Sequence, residues 1–377
     1  MQRKKILIII DWFLPGTKSG GPVRSYANMI AHLGAYHDFY IITRDTDYCS
    51  EDVYADINSN TWNQLDAHTS VYYFSKQKLN RANFTKLLNE TPFDIAYING
   101  IYSWNFSILP LWLLRKHKNV IVAARGMLNP QAFSVKKTKK KVFLAIAKLL
   151  KLYKNVKFHA TNADEANHIK AILGKQSKVH VAPNLPRISK ENSTSKKVKS
   201  SPTTFVNIAR ISIEKGTLTM IDALHKVKKA LVLDIFGPIY DEAYWELCQK
   251  SIGTLPNHIK VSYKGILRSE DVPIILKNYD FFVLLSEGEN FGHAILEALM
   301  AGCPVIISDQ TPWKQLENKR VGWDINISNL SGASAVIEKA SEMTTSDYEL
   351  YSRNAKQLSK EFSENPELIA LNLELFN

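Results

Sequence analysis

Short apolar runs alternate with stretches of helical apolar spacing along most of the chain. In the first half, the runs that read as strands are Lys5–Ile10, Phe39–Ile42, Ile95–Ile98, Val120–Ala123, Val156–His159 and Val179–Val181. Between the first two, Val23, Tyr26, Ala27, Ile30 and Leu33 recur at the three- and four-residue intervals of one helix face. The pattern stops over Pro186 to Pro202, where Ser189 to Lys197 is polar and aperiodic. It restarts with Thr204–Ile208, Leu231–Phe236, Ile259–Tyr263, Phe281–Leu285 and Val305–Ile307. Strands separated by helical stretches predict an α/β protein with parallel sheets covered by helices. Two such series predict two doubly wound, Rossmann-like domains facing across a cleft, over residues 1–185 and 203–357, joined by a linker at 186–202. The remaining stretch, 358–377, reads as a helical segment interrupted by Pro366 that crosses back to the first domain.

A chain of 377 residues has room for two such domains, and 45% hydrophobic residues suffice for packed cores. The three cysteines, Cys49, Cys248 and Cys303, are widely spaced, cannot all pair and do not cluster as metal ligands; they point to a reducing cytoplasm. The opening apolar run is five residues long and ends at Asp11, so it reads as a buried strand and not as a signal peptide. Nothing is long and apolar enough to span a bilayer.

Charge changes the picture. The net charge is +12, but residues 1–200 hold 31 Lys and Arg against 13 Asp and Glu, a net of +18, while the remainder holds 17 against 23, a net of −6. That asymmetry points to an anionic partner for the first half. Lys136 to Lys154 reads as a basic amphipathic helix, which is either a solvated face on the core or a contact with the inner membrane surface.

Three loci could carry chemistry. After the first strand, Gly20-Gly21-Pro22 opens a helix; glycines let backbone N–H groups approach a ligand, and a helix start favours an anion. By itself it is neither a GxGxxG fingerprint nor a P-loop. After a strand in the second half come Arg210 and Lys215, five positions apart, with Glu214 as an ordinary surface partner. Arg210 can fork two phosphate oxygens and Lys215 adds a point charge where a departing diphosphate gathers negative charge. The third locus runs from Leu284 to Ile306 as strand, Gly-containing loop, helix, Gly-Cys-Pro turn and strand. Glu289 lies in its loop, and Glu297 lies about a turn and a half into an otherwise apolar helix. A buried carboxylate there needs partners, and ligand hydroxyls are good ones.

These three loci, in this order, resemble the group 1 glycosyltransferases, the retaining family with the GT-B fold. Ala124-Arg125-Gly126, His159-Ala160-Thr161 and Asp309-Gln310-Thr311-Pro312-Trp313 are similar as well. The resemblance implies that Gly20 and Gly21 line the diphosphate and sugar, and that Arg210 and Lys215 hold the diphosphate. It implies that Glu289 bonds hydroxyls of the donor sugar, with Asn290, the backbone at Phe291 and Gly292, and His293 beside it. Glu297 would bind the ribose, Gly265 and Ile266 would lie near the base, and Arg125 would stand at the cleft rim. Glu289, Arg210 and Lys215 would be the catalytic set. Related members often carry His where this chain has Asn99. Asn cannot be a titrating base at neutral pH, so any base role for that position is in doubt here.

Asp45-Thr46-Asp47 imitates the metal motif of a different transferase fold, and His159 and His293 read as hydrogen-bonded structural residues. The resulting expectation is a cytoplasmic, retaining, metal-independent hexosyltransferase without a cofactor, peripheral at the inner membrane face. It would move sugar from a nucleotide-diphosphate sugar to a glycan or lipid-linked oligosaccharide acceptor of O-antigen, capsule or exopolysaccharide assembly, with no nucleic-acid partner. A nucleotide-sugar epimerase or a glycan phosphorylase would share the fold. A non-enzymatic basic module binding membrane or nucleic acid would leave the acidic second half and Glu297 unexplained.

Overall fold

A computed structural model describes residues 2–130, 133, 137–188 and 198–377. Lys136 and the polar stretch 189–197, both singled out from sequence, lie outside these residues. The chain divides into two compact units, residues 1–188 with 366–377, and residues 189–365.

The first unit is built on an eight-stranded sheet: β1 (Lys5–Ile9), β2 (Asp38–Arg44), β3 (Trp62–Asp66), β4 (Thr69–Phe74), β5 (Ile95–Asn99), β6 (Val120–Ala123), β7 (Val156–Ala160) and β8 (Lys178–Val181). Its spatial order is β3-β4-β2-β1-β5-β6-β7-β8. All neighbours are parallel except β3, which runs antiparallel to β4 at the edge. Side chains of β1, β5 and β6 are buried on both faces, as a helix-covered parallel sheet requires. Helices α1 (Gly21–Leu33), α2 (Arg81–Glu90), α3 (Leu109–Leu113), α4 (Lys137–Leu149) and α5 (Ala163–Leu173) supply the cover.

In the second unit, β9 (Thr203–Ile208), β10 (Leu231–Phe236), β11 (Ile259–Tyr263), β12 (Phe281–Leu284), β13 (Val305–Ser308) and β14 (Gly322–Ile325) form an all-parallel sheet in the order β11-β10-β9-β12-β13-β14. One core packs against α6 (Thr217–Leu224), α7 (Glu242–Ile252) and α10 (Leu330–Glu342) around Leu233, Trp245 and Ile337. A separate core packs α8 (Val272–Leu276), α9 (His293–Met300) and α11 (Thr345–Ser363) around Phe282, Leu276 and Leu299. The sheet is therefore covered on both faces.

Two expectations need correction. Strands β3, β4 and β14 were not anticipated. The returning segment begins at Pro366, not at residue 358, because α11 runs to Ser363 and stays with the second unit. Pro366 opens α12 (Pro366–Glu374), which packs against α1. Beyond it, Phe376 is fully buried with its ring 5.6 Å from His37 and 5.7 Å from Tyr97. Lys4 Nζ donates to its carbonyl at 2.6 Å, and Asn372 Nδ2 donates to Pro183 O at 2.9 Å. Among the described residues, no helix is long and apolar enough to cross a membrane.

Truncating Phe376 leaves a cavity beside β1 and β5, so Phe376→Ala is expected to destabilise the first unit by about 3–5 kcal/mol. Hydrogen exchange should show faster opening of β1 and β5 amides while β9 and β12 keep their protection. Unchanged protection of β1 and β5 would disprove the role of this segment as part of the first core.

Candidate functional site

In the second sheet the chain leaves β9 on one side through α6 to β10, and β12 lies on the other side. The crevice beyond the carboxyl ends of β9 and β12 is thus a topological switch point, where open α/β sheets bind ligands. The loops after these two strands are locked together there. Gly216 ends a short 3-10 turn (Ile213–Lys215) with φ +65°, and a Cβ on it would sit 1.9 Å from the Leu285 carbonyl oxygen. Only glycine lets the turn descend that far. Glu287 N donates to Glu214 O at 3.0 Å, and Glu289 N donates to Gln310 O at 3.1 Å.

These constraints bring Lys215 Nζ to 2.5 Å from Glu289 Oε1, with side chains only 17% and 13% exposed. The sequence assigns these residues to different parts of a donor; the structure pairs them with each other across 74 positions. Arg210 is arranged differently. Its guanidinium meets Glu214 at 3.4 Å and lies 4.8 Å from the centre of the Tyr240 ring. Three hydroxyls that the sequence reading missed lie in the same two loops. Ser212 Oγ, Thr217 Oγ1 and Ser286 Oγ are buried with no hydrogen-bond partner among the described residues. Buried hydroxyls without partners are uncommon enough to require an explanation, and a polar ligand supplies one. Their position beside Lys215-Gly216 and Glu287 is the only sequence signal they carry.

Helix α9 starts at Gly292 (φ +80°) with no side-chain cap and no acidic residue in its first turn, so its leading N–H groups suit an anion. Its approach is fixed from behind. The Phe291 ring is buried against His293, Trp313 and Phe362, and Trp313 Nε1 donates to Phe291 O at 2.7 Å. Phe291 therefore anchors the loop through its ring, leaving only backbone N–H groups for a ligand. Asn290 and His293 flank it, and Glu297 is buried at 5% exposure within the helix. On the other side of β9, Gly237 (φ +144°) approaches so closely that a Cβ would meet Ala209 O at 1.8 Å. Gly237 N donates to Gly265 O at 2.9 Å. Gly265 (φ +82°) faces open space, and Ile266 is 47% exposed. Arg210, Lys215, Gly265, Ile266, Glu289 to His293 and Glu297 thus all follow strand ends on one edge of one sheet.

In the first unit, Gly20 (φ +75°) caps α1, and added Cβ atoms at Gly20 and Gly21 would meet nothing within 4 Å. The glycines are not required by packing, and the α1 start is open, with Pro22 in place and no side-chain cap. Asp47 Oδ2 accepts from the Thr17 and Lys18 amides at 2.9 and 3.1 Å, and Asp45 accepts from Ser59 Oγ at 2.7 Å. The Asp-x-Asp sequence thus holds the Gly-Gly loop. Among the described residues, no group of three His, Cys, Asp or Glu could hold a metal ion. Asn99 ends β5, buried, with Oδ1 lacking a partner among the described residues.

Arg125, expected at a rim, is braced within the first unit. It donates to Asn184 Oδ1 at 2.7 Å and to Tyr97 Oη at 3.3 Å, and its guanidinium lies 4.6 Å from the Tyr26 ring centre. Its backbone is left-handed (φ 52°), and Glu165, also missed from sequence, fixes the following peptide by accepting from Gly126 N at 2.6 Å and Thr161 N at 2.7 Å. Tyr97 donates in turn to His159 Nδ1, and His159 Nε2 donates to Ala182 O at 2.7 Å. With the imidazole neutral, Nε2 donates to the carbonyl and Nδ1 is left to accept from Tyr97. Burial, reinforced by the Arg125 charge, pushes the His159 pKa down to about 3. His159 is accordingly a structural residue.

Residues 189–358 match the family model described as glycosyl transferases group 1, and that stretch spans almost the whole second unit. The second unit thus resembles a group 1 glycosyltransferase domain over almost its whole length, and the chain has the GT-B fold of two Rossmann-like domains. A structure of the Anabaena protein HepE in complex with UDP and glucose aligns over 99% of this chain and 98% of its own, with a TM-score of 0.74 and 16% identity. WaaG, a glycosyltransferase involved in lipopolysaccharide biosynthesis, aligns over 98% of both chains with a TM-score of 0.69 and 14% identity. Mannosylfructose-phosphate synthase of Agrobacterium fabrum (strain C58 / ATCC 33970) is 28% identical over 109 residues, 27% of this chain. The match spans about a quarter (24%) of that relative's length.

The His159 pKa lies below the ordinary 6.5, so its contribution to stability is complete above pH 6.5 and is lost as pH falls from 6.5 toward 3. Wild-type unfolding free energy should fall over that window with a slope up to about 1.4 kcal/mol per pH unit steeper than that of His159→Asn. Denaturant titrations of both proteins at stepped pH check this; parallel pH curves would show that His159 is not held neutral.

Proposed function

We propose that the protein transfers a hexose from a nucleoside-diphosphate sugar to a glycan or lipid-linked oligosaccharide, with retention at the anomeric carbon, in surface-polysaccharide assembly. The observation that carries this reading is the Lys215–Glu289 pair in the loops at the switch point, which also carry the partnerless hydroxyls of Ser212, Thr217 and Ser286 and lead into an uncapped helix start. A diphosphate offers Lys215 and Arg210 an anion, and a sugar offers Glu289 hydroxyl donors. Donor entry therefore exchanges the internal pair for two ligand contacts. As the bond between the anomeric carbon and phosphate oxygen breaks, Lys215, Arg210 and the α9 amides stabilise the charge gathering on the diphosphate. The acceptor oxygen bonds to the same face of the carbon, and its proton passes to the departing phosphate oxygen. No metal or cofactor enters this scheme.

Glu297 bonds the ribose hydroxyls, Gly265 and Ile266 border the base, and Gly20 and Gly21 admit the phosphate and sugar. Asn99 contributes an amide to the sugar and not a base. The HepE complex with UDP makes uridine the first base to test. WaaG supports a lipopolysaccharide-type acceptor, and the cationic first half suits a lipid diphosphate at the inner membrane face.

A thermal-shift panel of nucleotides and UDP-sugars tests donor binding, because a ligand of the folded state raises Tm by mass action. UDP-sugars should raise Tm, and Lys215→Met should remove most of the shift. In a transfer assay, Glu289→Ala and Lys215→Met should each lower kcat at least about 100-fold with the fold intact by circular dichroism. Full activity in Glu289→Ala would remove that residue from the mechanism, and turnover of donor to its epimer without acceptor would replace the transferase reading.

A further inference from the structure

Helix α4 carries apolar residues on two faces. Phe143, Leu144 and Ala147 pack into the first unit's core. Val142, Ile146, Leu149 and Leu150 recur at the spacing of one helical stripe, yet they are 54%, 51%, 80% and 67% exposed. One such residue is ordinary on a protein surface; four in register are not. Lys139, Lys141 and Lys148 lie along the same helix. Where α4 ends, a cavity of about 280 Å³ opens at the starts of β6 and β7. Leu114 and Leu152 give it apolar walls, and Arg115, Lys116, Lys151 and Lys154 line it too. Nearby in sequence, Trp112 is 37% exposed, with the guanidinium groups of Arg81 and Arg115 4.4 and 5.0 Å from its ring centre. Between Asp94 and Asp164 the chain has no carboxylate side chain and thirteen Lys and Arg.

We infer that this face docks on an anionic phospholipid bilayer, with the α4 stripe entering the acyl boundary and a lipid phosphate seated in the Arg115–Lys151 cavity. The inference deepens the proposed function, resting on its lipid-borne acceptor, and gives the membrane contact a defined surface. Charge complementarity selects the occupant: the cations match phosphate, and the leucines match hydrocarbon. A nucleic-acid backbone would use the cations and leave the leucines in water. Paired signals of this kind, apolar insertion plus basic residues, are what reversible membrane attachment needs. The cavity lies at the strand starts, whereas Gly20, Asn99 and Arg125 follow strand ends, so docking leaves those residues uncovered.

Cosedimentation of the whole chain with phosphatidylcholine vesicles, with and without phosphatidylglycerol, tests the inference. Binding is expected only to the anionic vesicles and should weaken as salt rises. Leu149→Asp/Leu150→Asp alters exposed side chains and should weaken partition at least about tenfold, as should Arg115→Glu/Lys151→Glu. Both variants should retain wild-type transfer to a soluble acceptor. A soluble phosphate monoester that competes equally well would show a free-phosphate site and overturn the bilayer assignment. Absent binding, equal binding to both vesicles, or binding to DNA that survives the leucine changes would overturn it as well. None of these vesicle results bears on transfer itself, so the surface and the transferase reading fail separately.

Discussion

A single ammonium–carboxylate contact, Lys215 to Glu289, sets what the second unit can do. It forms because Gly216 allows backbone to press on backbone at the end of β12, within reach of no larger residue. Both side chains are mostly withdrawn from water, so each would be costly alone. The pair is stable only while each finds the other or an equivalent partner. A molecule with an anion at one end and hydroxyls at the other is such an equivalent. The pair is thus held by mutual neutralisation, and a ligand of that kind would exchange one set of charge partners for another.

The first unit handles its polar groups in the opposite way. Asn184, Arg125, Tyr97 and His159 are linked in a chain of hydrogen bonds that ends on the Ala182 carbonyl, and Glu165 accepts from the backbone at Gly126 and Thr161 beside it. The network fixes a left-handed backbone at Arg125, a conformation that a bulky residue adopts only when its surroundings hold it. Here the polar residues act as a brace, and Asp47 does the same for the Gly-Gly loop. Around Arg125 polar groups are committed to shape, whereas at the switch point Ser212, Thr217 and Ser286 are not.

Much of the fold was legible because its strands are buried on both faces and read as apolar runs. The strands that escaped notice lack that signal. Trp62–Asp66 is an edge strand of mixed and mostly polar residues, and Gly322–Ile325 is four residues with two polar or small members. Strand Thr69–Phe74 has β-rich composition but is joined to its neighbour by a tight turn within a polar region. The candidate site residues stood out individually, through glycines and charges at strand ends. Their partners did not: no periodicity links positions 215 and 289, and Ser212, Thr217 and Ser286 resemble any loop hydroxyl until their burial is known. The partners of Arg125 were hidden for the same reason, since Asn184 and Tyr97 are distant in sequence.

The discontinuity of the first unit has a consequence for biogenesis. Residues 189–365 are contiguous, so the second unit has everything it needs once residue 365 clears the ribosome. The first unit, although synthesised earlier, keeps an open gap beside His37 and Tyr97 until Phe376 arrives. Domains usually mature in the order of their synthesis. Here the order of completion is reversed, and the unit made first must wait, part-formed, for the one made after it.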